Sequence, residues 1–243
     1  MATLSIFTCV IGEPEALLNT ANSIAPWLSN DVVWIIKFSE KTSKNFIANF
    51  SGKHIQVYQE SDSSLYDALN QCLKKSLTDY YMVLGAGDTI LPDGMSQLIK
   101  ELSKNTFTHH AYHAPLLVEL SNNIFNPAPN QMKHGMSCPH PTSILKVKNS
   151  LAIDGFDLSY KIASDYDHLS RYAIAFGDGH LLNISPPVSY MGGGISDIRA
   201  LESYMEALLI RQRIWNIPDM RIFGDLLKFT ALPISETIAQ NTP

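Results

Sequence analysis

Tyr80-Tyr81-Met82-Val83-Leu84-Gly85-Ala86-Gly87-Asp88 is the stretch that decides the fold. Its first five residues form an apolar run, as in a strand covered on both faces. Two glycines and a carboxylate follow at once, and Pro92 then opens a helix whose core face is Met95, Leu98, Ile99 and Leu102. In an open α/β sheet, ligands bind beyond the carboxyl ends of the strands, so Asp88 stands where a ligand-binding residue is expected. A carboxylate there suits a divalent cation bound to phosphates, because magnesium takes one or two carboxylates and completes its shell with substrate oxygens. A cap on the helix that starts near Pro92 accounts for the same residue.

Working outward, the same alternation fills the first half. Residues 4–10, 32–36 and 54–58 read as strands, with helices over 14–24 and 41–50 between them. Ser64 and Asp67 form a capping box, after which Leu65, Leu69, Cys72 and Leu73 share one face. Strands and helices alternating over short links predict a mostly parallel sheet flanked by helices. The second half is less regular. Residues 110–120 and 124–125, parted by Ser121-Asn122-Asn123, read as a hairpin, a small antiparallel portion. A Pro- and Asn-rich loop over 126–141 follows, then a helix over 165–176, a strand over 181–184, the loop Met191-Gly192-Gly193-Gly194-Ile195-Ser196, and a helix over 198–215.

The chain of 243 residues suits one domain spanning 1–243. Hydrophobic residues make up 45% and charged residues 17%, which is globular composition, and the net charge of −5 builds no basic face for nucleic acid. Cys9, Cys72 and Cys138 are odd in number and form no CxxC pair, a pattern of reduced cytosolic thiols rather than of disulfides or zinc. Residues 1–12 lack a basic leader and read as a buried strand, and no run approaches the ~18 apolar residues of a membrane span. The expected location is the cytoplasm, with room to lie against the inner face of a membrane.

Several motifs, taken in order, carry a resemblance. Asp62-Ser63-Ser64-Leu65-Tyr66-Asp67-Ala68-Leu69-Asn70, the strand ending at Asp88, Gly155-Phe156-Asp157, Ala163-Ser164-Asp165-Tyr166-Asp167 and Gly193-Gly194-Ile195-Ser196 together resemble family 2 glycosyltransferases, in the branch that assembles bacterial surface polysaccharides of the colanic-acid type. The similarity runs over about residues 3–196. It implies a GT-A fold, Rossmann-related with C-terminal helices, and inverting transfer of a sugar from a nucleotide diphosphate to a glycan or lipid-linked acceptor. It implies a donor half over 1–105, an acceptor half over 106–196 and a C-terminal helical segment over 197–243. It places Asp62, Asp67, Gly87, Asp88, Gly193 and Gly194 on the donor, Asp88 on manganese or magnesium, and Asp165 as the base that takes the acceptor proton. His140 and Asp167 fall on the acceptor side. The sequence departs from the family at Phe38, which stands at or next to the position of an aspartate that holds the nucleobase, and at Ala86, where the first carboxylate of the metal motif would be. A non-catalytic binding or scaffold subunit is the rival reading; a nucleotidyltransferase fits less well, because Val10-Ile11-Gly12-Glu13-Pro14 lacks a glycine-rich loop with a basic residue.

The remaining polar residues have plainer readings beside these. Ser164 and Asp167 form a second capping box on paper, and Asp167 pairs with Arg171 at i,i+4; Asp165 has no such partner. In a strand His109 and His113 share a face that His110 does not, so His109, His110 and His113 read as a solvated or hairpin-edge cluster rather than a metal site. Adjacent glycines at 192–194 would let backbone N–H groups approach a diphosphate, or would simply make a tight turn. Arg211, Arg213 and Trp215 end an amphipathic helix and are expected to be available to a partner or membrane surface.

Overall fold

The structure is a computed structural model that describes residues 3–104 and 108–217; the part of the expected C-terminal helical segment from 218 onward lies outside these. Four parallel strands come first: β1 (Leu4–Val10), β2 (Val32–Phe38), β3 (Ile55–Gln59) and β4 (Tyr80–Val83). Period-2 alternation sends Leu4 and Ile6 to one face of β1 and Phe7 to the other, and both faces are buried. Helix α1 (Ala16–Ile24) and α4 (Pro92–Leu102) cover the first face, with Leu17, Ile24, Met95 and Leu98 in its core. Helix α3 (Leu65–Lys75), α5 (Val147–Ala152) and α6 (Ser164–Phe176) cover the second, with Leu69, Leu73, Val147 and Leu169. The expected helix over 41–50 shrinks to α2 (Lys44–Ile47), which Ser43 caps through the Phe46 N–H.

Three further strands complete a seven-stranded sheet: β6 (Ala111–His113), β9 (Ser143–Lys146) and β10 (His180–Leu181). Its order is β10-β6-β9-β4-β1-β2-β3, and β9 alone runs antiparallel to its neighbours. A second sheet joins β5 (Thr89–Ile90), β11 (Val188–Tyr190), β7 (Leu116–Val118) and β8 (Asn123–Phe125) in that order. The strand expected over 110–120 is therefore two strands in two sheets. Pro115 sits at the break, where it has no N–H for a ladder. The hairpin itself stands, with β7 and β8 paired and Asn122 left-handed at φ 52° in the turn. The expected strand over 181–184 is shorter and earlier, at β10. Two helices, α7 (Ile195–Ile198) and α8 (Ala200–Trp215), follow β11.

Candidate functional site

The carboxyl ends of β1 to β4 face one edge of the sheet, and there the turn after β4 meets the glycine-rich loop after β11. Asp88 joins them. One carboxylate oxygen accepts the Met191 N–H at 3.0 Å and the other the Gly85 N–H at 3.2 Å. The Thr20 hydroxyl of α1 donates to the Asp88 carbonyl at 2.8 Å and accepts the Gly87 N–H at 2.9 Å. Gly87 is left-handed at φ +110°, a backbone conformation that other residues adopt only with strain. Asp88 does not cap α4, whose N-cap position is Leu91. It is 6% exposed, and burial raises its proton affinity against the two N–H bonds that lower it. Beyond the joint, the Gly193 N–H donates to Asp197 at 2.9 Å and Gly194 stands at the N-cap of α7.

The second part of the site is built by α3 on α6. The Ser64 cap forms as expected, accepting the Asp67 N–H at 3.2 Å, while the Asp67 carboxylate reaches one residue beyond the cap to the Ser63 N–H at 2.9 Å. One turn on, Asn70 holds the backbone of Phe156 by both its N–H and its carbonyl, at 2.8 and 2.9 Å. Gly155 allows this approach at φ +65°, since a Cβ there would lie 2.2 Å from Asn70 Oδ1. The Tyr66 hydroxyl donates to the Ile162 carbonyl. Asp165, in the first turn of α6, therefore sits against the N-terminal end of α3, at the same sheet edge as Asp88. Its carboxyl accepts the Tyr166 N–H at 2.8 Å. Burial pushes it up to about 6 from the ordinary 3.8; the N–H groups of Tyr166 and Asp165 and the Tyr66 hydroxyl pull the other way, and the nearby Glu206 charge adds to the rise.

Comparison with known proteins finds no matching protein-family profile and no matching curated protein. Solved structures do match. Staphylococcus aureus TarS, residues 1–349 in complex with UDP, superposes with a TM-score of 0.67 at 12% identity over 86% of this chain, which spans 64% of that one. Glucosyl-3-phosphoglycerate synthase from Mycobacterium tuberculosis, solved with Mn2+, UDP and phosphoglyceric acid, gives 0.63 at 11% over 89% of this chain and 80% of that one. A mannosyltransferase from Pyrobaculum calidifontis, solved with GDP-Man and Mn2+, gives 0.60 at 12% over 85% and 64%. The chain has the GT-A fold.

In this GT-A fold the described residues do not build a resident cation site. Asp88 is the carboxylate at the β4 turn, and each of its oxygens accepts one backbone N–H. No three His, Cys, Asp or Glu side chains among the described residues converge as metal ligands. The histidines separate: His109 stacks on His180 at 4.6 Å, His110 meets Asn149 at 3.0 Å, and His113 bonds Ser143 at 2.9 Å. His113 is not solvated as expected but 3% exposed, and burial lowers it to about 4.

The nucleobase side departs from expectation through Lys37. This residue, 1% exposed at the end of β2, pairs with Asp62 and donates to the Glu60 carbonyl at 2.6 Å. Asp62 thus has a structural partner that sequence reasoning missed. A lysine inside the apolar run Val32-Val33-Trp34-Ile35-Ile36-Lys37-Phe38 was the available signal, since a buried lysine requires a carboxylate or carbonyl. Phe38 is fully buried against Phe46 and Phe50, with ring centroids 6.3 and 5.6 Å away. Cys9 and Cys72 meet as free thiols, their Sγ atoms 3.9 Å apart.

On α6, the Asp167–Arg171 pair forms at 2.6 Å with Asp167 wholly buried, and Arg171 also donates to the Gly155 carbonyl at 2.6 Å. The second capping box does not form. Ala163 occupies the N-cap position, and the Ser164 hydroxyl donates instead to the Asp157 carbonyl at 2.7 Å. His140 packs edge-on to Phe156 with ring centroids 5.5 Å apart, and Phe156 stacks on His168 at 4.4 Å. Burial lowers His140 to about 4, so it stays neutral at physiological pH. Arg213 bonds Asp157 at 3.0 Å yet stays exposed, and half-buried Trp215 donates to Ser170 at 3.2 Å, whereas Arg211 is buried and not at the surface as expected. No described helix is long and apolar enough to cross a membrane. A cavity of about 550 Å³ lined by Asp79, Tyr80, Lys146 and Leu151 opens at the amino end of β4 and shares no residue with this site.

Proposed function

We propose that the chain is an inverting glycosyltransferase that moves a sugar from a nucleotide diphosphate to an acceptor hydroxyl in surface-glycan assembly. Residues 1–105 would hold the donor and 106–196 the acceptor, on a glycan or a lipid carrier at the cytoplasmic side of a membrane. The observation that carries this reading is Asp165: a carboxyl raised to about 6 at the ligand-binding edge of a GT-A sheet. At neutral pH it is mostly ionised yet more basic than an ordinary aspartate, which is what a general base needs.

In the proposed step the acceptor oxygen attacks the anomeric carbon from the face opposite the diphosphate. Its proton passes to Asp165 Oδ, the bond from the anomeric carbon to the diphosphate oxygen breaks, and that bond's electron pair leaves with the diphosphate. Asp62 in the β3–α3 turn and Asp67 in the first turn of α3 border the donor, and Gly87, Asp88, Gly193 and Gly194 shape the two loops beside its phosphates. Asp88 acts here by holding those loops together, and a divalent cation, manganese or magnesium, enters this reading as a co-ligand of the donor diphosphate. His140 and Asp167 would lie on the acceptor side. The test is the turnover of Asp165→Asn with UDP- and GDP-sugars, read by acceptor transfer or by slow donor hydrolysis; undiminished turnover sinks the assignment.

A second reading, a nucleotide-binding subunit without catalysis, draws on the Lys37–Asp62 pair and on buried Phe38, which leave no free carboxylate at the nucleobase position. Calorimetry with UDP and GDP, paired with a hydrolysis assay, separates the two: binding with no turnover in the native chain favours the subunit.

A further inference from the structure

Glu206 reaches from α8 to the turn that precedes α6. One carboxylate oxygen accepts the Lys161 N–H at 2.9 Å, and the other accepts the N–H groups of Ile162 and Ala163, both at 2.9 Å. Successive N–H groups aimed at one point form an anion-binding concavity, and here a side chain of the same chain fills it. Ala163 is the N-cap residue of α6, whose N–H the helix itself leaves without a partner, Lys161 and Ile162 lead into it, and α6 has no side-chain cap of its own. Ile162 is held at both polar groups, its N–H by Glu206 and its carbonyl by Tyr66. Asp165 lies three residues further on. Docking of α8 does not depend on Glu206, because Leu208 and Ile210 are buried and Arg213 bonds Asp157 at 3.0 Å.

We propose that Glu206 is a positioning residue for Asp165, fixing the 161–163 turn that aims its carboxyl and setting a second negative charge beside it. This rests on the base role proposed for Asp165. The titratable groups around that carboxyl are Tyr66 from α3 and Glu206 from α8; α6 itself contributes the N–H groups of Asp165 and Tyr166. Removing the Glu206 charge makes ionisation of Asp165 easier, so the acid limb of any rate governed by Asp165 moves to lower pH.

Glu206→Gln keeps the length of the side chain and an acceptor for two of the three N–H groups while losing the charge. The expected result is UDP affinity within about twofold of wild type and a kcat for donor hydrolysis lower by about tenfold, the size of effect that slight misaiming produces. The acid limb should shift downward, and in the Asp165→Asn background the same substitution should cost no further rate, because it acts through Asp165. Glu206→Asp retains the charge and should keep the limb near its native position; it also serves if the Gln variant folds poorly. An independent arm titrates the Asp165 carboxyl by carbon NMR, with the signal assigned from Asp165→Asn, and needs no activity. A carboxyl that titrates identically in wild type and Glu206→Gln overturns the proposal, as does a full additional rate loss in the Asp165→Asn background. Native turnover in Asp165→Asn instead overturns the base assignment, while the NMR arm still decides whether Glu206 acts on that carboxyl.

Discussion

Replacing Asp165 by Asn should stop the chemistry and stabilise the fold together. The folded carboxyl titrates at about 6 against an ordinary 3.8, a gap equivalent to about 3 kcal/mol of preference for the protonated form. Asp165 is only part-buried, so water absorbs some of this and about 1–2 kcal/mol is expected to remain. The sign follows from linkage. A group whose folded value is raised adds stability that is fully present below 3.8 and is lost as pH rises through about 6. The wild type has therefore lost that increment at pH 7.5, whereas neutral Asn, which still accepts the Tyr166 N–H, has not. Asp165→Asn should melt roughly 2–8 °C higher at pH 7.5, with the difference closing toward pH 4. Turnover should fall by about two to four orders of magnitude, in kcat rather than in the donor KM. Urea denaturation of both proteins from pH 4 to 8, beside a transfer or hydrolysis assay, checks both halves. A variant less stable than wild type at pH 7.5, or a stability gap independent of pH, refutes the burial argument; normal turnover refutes the base.

Three other substitutions test the rest of the site. Asp88→Ala should weaken stabilisation by UDP equally with and without Mn2+ in a thermal-shift assay, because it unties the Met191 and Gly85 N–H groups; a loss confined to the Mn2+ sample would put the carboxylate on the cation. Arg171→Ala leaves Asp167 buried without its counter-charge and should cost about 3–5 kcal/mol in urea denaturation, whereas a cost under ~1 kcal/mol would mean the pair is idle. Phe38→Asp places a charge inside the Phe46–Phe50 cluster and should cost about 3 kcal/mol or more, without sharpening selection between UDP and GDP; a calorimetric gain in selectivity would show that the side chain turns into the donor pocket.

The elements legible in the sequence are those whose stability is local. The strands at 4–10 and 32–36 are continuous apolar runs, and the helix at 65–75 announces itself with a cap and one apolar face. β9 was not legible. Four residues, Ser143-Ile144-Leu145-Lys146, carry no period of their own, and they become a central reversed strand only because β4 and β6 offer free edges on either side. The same holds for β10 and β11, of two and three residues. The second capping box failed as well. Ser-x-x-Asp describes both Ser64 and Ser164, but Ser164 lies inside the helix, its hydroxyl turned to the Asp157 carbonyl, while the Asp167 N–H bonds the Ala163 carbonyl and the Asp167 carboxylate is held by Arg171.

The candidate site was legible as separate motifs and not as one device. Tyr66 and Asn70 are four apart on α3, which is enough to place them on one face. Spacing cannot say that this face holds Ile162 and Phe156, and so carries the segment that delivers Asp165. Asp88 shows the same thing from the other side. Its position after an apolar strand put it at the carboxyl edge of the sheet, and there its two oxygens accept the N–H groups of Gly85 and of Met191, 103 residues further along the chain. A carboxylate at a strand end can hold a ligand or hold the loop that holds the ligand, and the residue type is the same in both. What separates them is the partner of each oxygen, a long-range fact. For Asp165 that fact runs the other way: a helix N-terminus by itself favours an ionised aspartate, yet burial, with the Glu206 charge adding to it, makes this one a weaker acid and a better base.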